Sequence, residues 1–149
     1  MIFVERTDPR HPQAMAMLKQ SHALMQSLFP PEDNFYLDID DLVAPNIHFF
    51  TARQGEEMMG TGALLVTPDY GEVKSMFVSE AARGKGAAAA LLRQIEDTAR
   101  EEGLSMLKLE TGNALHAAHR LYVRHGFSDC GIFGNYETAK SAAFMEKAL

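Results

Sequence analysis

The segment Arg83-Gly84-Lys85-Gly86-Ala87-Ala88 carries the clearest chemistry in the chain. Glycines at the mouth of a helix let the backbone approach a ligand closely. The first-turn N–H groups, unpaired within the helix, converge there with the positive end of the helix dipole. A phosphate can sit where they meet. Arg83 and Lys85 add positive charge, and Ala87, Ala88, Ala89 and Ala90 keep the first turn free of bulk. Such a loop suits a ligand bearing a diphosphate.

A dinucleotide is one such ligand, because Gly84-Lys85-Gly86-Ala87-Ala88-Ala89 satisfies the loose G-x-G-x-x-A pattern and Glu110 ends the next expected strand. The spacing argues against it. The preceding strand ends near Val78 and the residues from Ser79 to Arg83 intervene, whereas the dinucleotide fingerprint starts in the turn directly after its strand. A plainer reading leaves the glycines and alanines to close packing and the basic pair to solvent.

The elements around the loop follow from periodicity. Glu72 to Val78 alternates, with Glu72, Lys74, Met76 and Val78 on one face and Val73, Ser75 and Phe77 on the other, which predicts a strand covered on both sides. Gly84 to Glu102 places Ala88, Leu91, Ile95 and Ala99 on one stripe with Arg93, Glu96, Asp97 and Arg100 off it, an amphipathic helix that Gly103 ends. Ser105 to Glu110 alternates again. A helix between two strands implies a parallel pair joined by a crossover.

Upstream, Met1 to Arg6 reads as a strand. Gln13 to Phe29 reads as a helix with Met15, Leu18, His22, Met25 and Leu28 on its stripe, stopped by Pro30-Pro31. Ile47 to Arg53 and Met58 to Val66 form an antiparallel hairpin across Gln54-Gly55-Glu56-Glu57. Between helix and hairpin, Glu32 to Asn46 is a loop with one short helical turn. Downstream, Asn113 caps a helix running to His125 before Gly126, and Phe127 to Phe133 and Ala142 to Lys147 are closing strands.

In this longer arrangement the loop resembles the Arg/Gln-x-x-Gly-x-Gly/Ala signature of the GNAT superfamily of acetyl-CoA-dependent N-acetyltransferases, with Arg83, Gly86 and Ala88 at its three defined positions. The resemblance extends through Glu72-Val73-Lys74-Ser75-Met76-Phe77-Val78, Leu109-Glu110-Thr111-Gly112 and Leu121-Tyr122-Val123-Arg124-His125-Gly126-Phe127. It implies an α/β fold whose mixed, mostly antiparallel sheet has one central splayed parallel pair and helices on both faces. It also implies acetyl-CoA as co-substrate, with the pyrophosphate on Arg83, Gly84, Lys85, Gly86, Ala87 and Ala88. The pantetheine arm would run along the backbone of Met76, Phe77 and Val78.

The implied reaction is transfer of an acetyl group to a primary amine of a small molecule or peptide, by direct attack in a ternary complex. An amine of ordinary pKa costs about 4.6 kcal/mol to hold neutral at pH 7, so a base helps. Resemblance puts Glu72 first for that role and Glu110, ending the neighbouring strand, second. It places Tyr122 beside the CoA sulfur, where its hydroxyl would protonate the departing thiolate. Many relatives carry Asn or Gln where this chain has Leu115, and Asn113 is the residue available to replace that pantetheine contact. Glu32, Asp33 and Tyr36 fall in the region that helps form the acceptor pocket, and their character suits a cationic amine. The contrasting expectation is a non-catalytic acyl-CoA-binding regulatory or interaction module.

Bulk composition narrows the remaining classes. The length of 149 residues, 46% of them hydrophobic, fits one domain over 1–149. A formal charge of −6 lacks the basic footprint of a nucleic-acid surface. Cys130 is the only cysteine and the N-terminus reads as no signal peptide, so the expected compartment is the cytoplasm. Apolar runs are too short to cross a membrane. His116 and His119 stand three apart without further ligands in any known pattern, so no metal is expected. The closing strands would end a monomer or form the edge of a homodimer.

Overall fold

The computed structural model describes residues 1–136 and 140–149. Strands β1 (Phe3–Arg6), β2 (Ile47–Gln54), β3 (Glu57–Val66), β4 (Gly71–Val78), β5 (Met106–Gly112), β6 (Ser128–Asp129) and β7 (Ala142–Ala148) form one sheet, in the order β1-β2-β3-β4-β5-β7-β6. β4 and β5 run parallel and the other neighbours are antiparallel. The hairpin of β2 and β3 closes through Gly55, whose φ of 60° only glycine adopts freely.

Helix α1 (Pro12–Leu28) starts with proline in its first turn and with the His11 ring accepting the Gln13 N–H. It ends at Phe29, whose N–H donates to the Met25 carbonyl. Helix α2 (Ala87–Glu101) ends where Gly103 takes a left-handed φ of 78° and the Leu104 N–H reaches back to the Ala99 carbonyl. Helix α3 (His116–Arg124) begins at Leu115 rather than at the predicted Asn113 cap. Asn113 is instead drawn to β7, its backbone N–H donating to the Ser141 carbonyl at 2.7 Å and its amide to Lys140 at 2.9 Å.

Alternation along β2 and β3 divides the core into two layers. Phe49, Met58 and Ala63 pack with Ala14, Met17 and Leu18 of α1 on one face. Phe50, Met59 and Leu64 pack with Leu91, Leu92 and Ile95 of α2 on the other, together with Tyr122 of α3. Helices on both faces follow, as expected. The stripe of α1 is turned relative to prediction: Ala14, Met17, Leu18 and Ser21 are buried while Leu28 is exposed, with Ala14, Met17 and Leu18 packed against Phe49, Met58 and Ala63 of the sheet. Glu96 was expected on the solvent side of α2 and is buried, where Lys147 neutralises it at 2.7 Å. The closing strand predicted over Phe127 to Phe133 shortens to Ser128–Asp129. Beyond it Phe133 turns inward against Tyr70, Tyr136 and Phe144.

The central departure from regular pattern lies in β4. Between Thr61↔Phe77 and Ala63↔Lys74 its ladder with β3 accommodates an extra residue on β4, and Ser75 takes a φ of 55°. This bulge reverses the alternation beyond it. Met76 and Val78 join Val73 in the layer under α2, while Phe77 joins the layer under α1, contrary to the strict period of two. Pairing of β4 with β5 spans only Gly71–Val73 against Leu107–Leu109. Past that point the strands part.

The gap between them is closed on one side by Phe29, buried at 7% exposure just beyond α1. Its ring lies so close to Gly112 that a β-carbon there would stand 2.1 Å from Phe29 Cζ. Gly112→Ala should therefore cost about 1–3 kcal/mol by overpacking. In a Phe29→Ala background the same change should cost less than about 0.5 kcal/mol, a coupling that urea unfolding of the four proteins in the cycle measures directly.

Candidate active site

Two cavities meet where β4 and β5 diverge. The inner one, of about 100 Å³, lies in the gap itself, between Ser75 and Met76 of β4, Glu110 of β5, Phe29 beyond α1, and Leu115 and Tyr122 at α3. The outer one, of about 960 Å³, opens on the α1 side over Glu72 and Lys74, with Glu32, Asp33, Tyr70 and Tyr136 around it. Asp33, Phe35, Tyr36 and Lys74 line both. Glu32, Asp33 and Tyr36, singled out from sequence, are thus all brought to the outer cavity.

The segment carrying them is fixed by α1. The Tyr36 ring stacks on His22 with centroids 4.1 Å apart, and its hydroxyl accepts a hydrogen bond from Gln26 at 2.8 Å. Burial holds the His22 imidazole below its ordinary pKa, with the Asp38 charge opposing. Opposite this segment stands a wall of edge-on aromatic rings, with Tyr136 at 5.2 Å from Phe35, 5.3 Å from Phe133 and 5.6 Å from Phe144.

Lys74 occupies the floor. Its ammonium donates to the Phe35 carbonyl at 3.0 Å and the Tyr136 hydroxyl at 2.7 Å, and stands 3.4 Å from Glu72 Oε2. Two of its donors are thus hydrogen-bonded and its charge is paired. Tyr136 in turn donates to Glu72, which is itself only 5% exposed. Burial, reinforced by the Glu72 charge, holds the Tyr136 phenol far above its ordinary range. Glu72, Lys74 and Tyr136 therefore form a closed, mutually satisfied network.

Glu110 is different. Burial pushes its carboxyl up to about 7; the Lys74 charge opposes that rise, and the charges of Glu72 and Asp33 add to it. It is thus poised near neutrality. Tyr122, 5% exposed and packed edge-on against Phe127, has its hydroxyl held well above the ordinary range by burial and then by the Glu110 charge. A proton acceptor and a firmly protonated hydroxyl share the inner cavity.

On the α2 side, Glu80–Ala82 forms a short 3₁₀ turn, and the Ser79 N–H donates to the Met59 carbonyl at 2.9 Å, fixing the approach to Arg83. Gly84 and Gly86 take φ values of 79° and 92°, and a side chain at either would meet open space, so both are needed for backbone conformation rather than for room. Among the described residues no side chain caps α2 at Gly86, which leaves its first turn free to receive an anion. Arg83, Gly84, Lys85 and Gly86 are exposed and Ala87 is buried beneath them. Among the described residues no strand lies beside the edge of β4 from Met76 to Val78 that faces away from β3, because β5 has already diverged. Asn113, the predicted substitute for the pantetheine contact at Leu115, does not line the inner cavity; it lines a separate one with His116 and His119. Among the described residues no group of three or more His, Cys, Asp or Glu is placed to hold a metal ion. No helix among them is long and apolar enough to cross a membrane.

The family model described as acetyltransferase (GNAT) family matches residues 15–127. The chain belongs to the GNAT acetyltransferase family. An IAA acetyltransferase of Azospirillum brasilense is 38% identical over 150 residues, covering 99% of this chain and 98% of the relative. The structure of a putative acyl-CoA N-acyltransferase from Klebsiella pneumoniae superposes with a TM-score of 0.84 at 27% identity, over 100% of this chain and 98% of that one. An acetyltransferase of Bacillus subtilis in complex with CoA shares the fold, with a TM-score of 0.75 at 19% identity over 100% and 99% of the two chains. The GNAT fold, with one parallel pair in a mixed sheet, that the resemblance implied is the one observed.

Sequence reasoning missed Lys74, Tyr136, Phe35 and Asn34 as site residues. Lys74 stood in a stretch already marked for chemistry, and a lysine inside an alternating strand was the available signal. Tyr136 follows β6 in irregular chain and no period announces it.

The carboxyl of Glu110 gives a stability signature. Its folded-state pKa of about 7 lies above the ordinary 4.5, so its contribution to stability is complete below pH 4.5 and is lost as pH rises through 7. Wild type should lose about 2 kcal/mol from this group between pH 5 and 8, allowing for its partial solvent access. Glu110→Gln should remove that loss and be the more stable protein at pH 8. Denaturant unfolding of both at several pH values isolates the difference, since histidine contributions cancel between them.

Proposed function

We propose that this GNAT acetyltransferase transfers an acetyl group from acetyl-CoA to a primary amine of a small molecule or peptide, by direct attack in a ternary complex. The observation that carries the reading is the pairing of Glu110 and Tyr122 at one narrow cavity between the diverging strands, the first with a carboxyl raised to about 7 and the second with a hydroxyl that stays protonated. In this reading Glu110 takes the amine proton and Tyr122 supplies one to the departing thiolate. Glu72, ranked first from sequence, already accepts the Tyr136 hydroxyl beside the Lys74 charge, and so holds the floor instead.

Arg83 to Ala88 would hold the pyrophosphate on backbone N–H groups and the open edge at Met76, Phe77 and Val78 would receive the pantetheine amides as a strand would. The CoA held by the Bacillus subtilis relative supports the donor. On the acceptor side, Glu32 and Asp33 with the Tyr36 and Tyr70 rings favour a cationic amine. With Cys130 as its only cysteine, the chain suits a reducing cytoplasm.

Release of CoA from acetyl-CoA across a panel of amines tests the reading. With an accepted amine, kcat/KM should rise through an ionisation near pH 7. Glu110→Gln should abolish that limb and lower kcat/KM by about a hundredfold, and Tyr122→Phe should lower kcat at least about tenfold with CoA binding kept. Tight acetyl-CoA binding without transfer to any amine would point instead to an acyl-CoA-binding module.

A further inference from the structure

Ser75 Oγ and Asn34 Oδ1 are the buried side-chain polar atoms that lack a hydrogen-bond partner among the described residues, and both residues line the inner cavity with Glu110 and Tyr122. A buried polar group left unpaired costs free energy, and two of them at one cavity mark places where a ligand supplies the partner. Ser75 also holds a left-handed φ of 55°, uncommon for a residue other than glycine. The strain is held from outside: Thr61, fully buried on β3, donates its hydroxyl to the Ser75 carbonyl at 2.7 Å. The bulge thus fixes a serine hydroxyl where β4 and β5 separate.

We propose that the Ser75 hydroxyl donates a hydrogen bond to the carbonyl oxygen of the bound thioester and stabilises the negative charge that develops there, a role that rests on the acetyl-transfer reading. Of the two unpartnered atoms only the hydroxyl can donate, while Asn34 Oδ1 can only accept and belongs to the segment facing the acceptor cavity. The cavity's size agrees: about 100 Å³ is the room of about three water molecules, and an acetyl group has three non-hydrogen atoms. As the amine nitrogen bonds to the carbonyl carbon, the C=O pair moves onto oxygen beside Ser75. Its return expels the thiolate with the C–S pair; Tyr122 protonates the sulfur and Glu110 receives the proton from nitrogen. Ser75 keeps its own proton throughout.

The test compares wild type with Ser75→Ala and Ser75→Gly, the second of which accepts the left-handed φ without strain, and CoA binding verifies that each variant is folded. Acetyl-CoA labelled with ¹³C at the carbonyl is bound without amine and its carbonyl stretch read by infrared difference spectroscopy. Wild type should shift the stretch to lower frequency. Both variants should bind CoA as wild type does, lose most of that shift, and show kcat lowered about a hundredfold with little change in the KM for acetyl-CoA. Variants that keep the shift and the wild-type kcat would overturn the role of Ser75 while leaving acetyl transfer intact. A wild-type chain that binds no acetyl-CoA would overturn both readings.

Discussion

The parallel contact between β4 and β5 lasts three residues, from Gly71–Val73 against Leu107–Leu109, and the site exists because it goes no further. The extra residue at the β4 bulge, with Ser75 in a left-handed conformation and its carbonyl tied to Thr61, bends the strand away while its ladder to β3 continues. Where the strands part, the layers on the two sides of the sheet reach one another. Phe29 from the α1 side and Tyr122 from the α3 side face a common cavity that an intact ladder would have sealed. Among the described residues the same divergence leaves the outer part of the β4 edge without a neighbouring strand, and β4 leads in sequence into the glycine-bearing mouth of α2.

A buried cation organises the electrostatics around that gap. Lys74 is surrounded by Glu72, the Tyr136 hydroxyl and the Phe35 carbonyl, and its charge also reaches Glu110. Glu72 and Glu110 thereby become unlike, although both stand on central strands. Glu72 accepts the Tyr136 hydroxyl beside the Lys74 ammonium, whereas burial and the neighbouring charges of Glu72 and Asp33 raise Glu110 against the opposing pull of Lys74. Two carboxyl groups with such different surroundings can divide structural and chemical duties between them. The packed rings of Phe35, Phe133, Tyr136 and Phe144 hold the Tyr136 hydroxyl that Lys74 bonds.

Features set by neighbours along the chain were legible from composition and spacing. The mouth of α2, the amphipathic face of that helix, the hairpin of β2 and β3, the stop at Pro30-Pro31 and the parallel relation of β4 to β5 all rest on local propensity or short-range pattern, and each was read directly. The family followed from the same residues, Arg83, Gly86 and Ala88, in their order with β4 and α3. Glu32, Asp33, Tyr36, Glu72, Glu110 and Tyr122 were all marked in advance, and the fold gathers them around two adjoining cavities.

Contacts across distant parts of the chain decided the remainder. A strict alternation cannot show an inserted residue, so the faces of Met76, Phe77 and Val78 waited on the register of β4 against β3. Leu115 and not Asn113 precedes α3, because the turn leading into β7 captures Asn113 from a position 28 residues away at Ser141. Which glutamate is engaged by the lysine and tyrosine and which is raised to about 7 depends on Lys74, Tyr136 and Asp33 meeting in space from three separate segments. Charge type is written residue by residue, but the pKa and partner of a buried group are properties of the volume around it, and that volume forms only when the sheet is assembled.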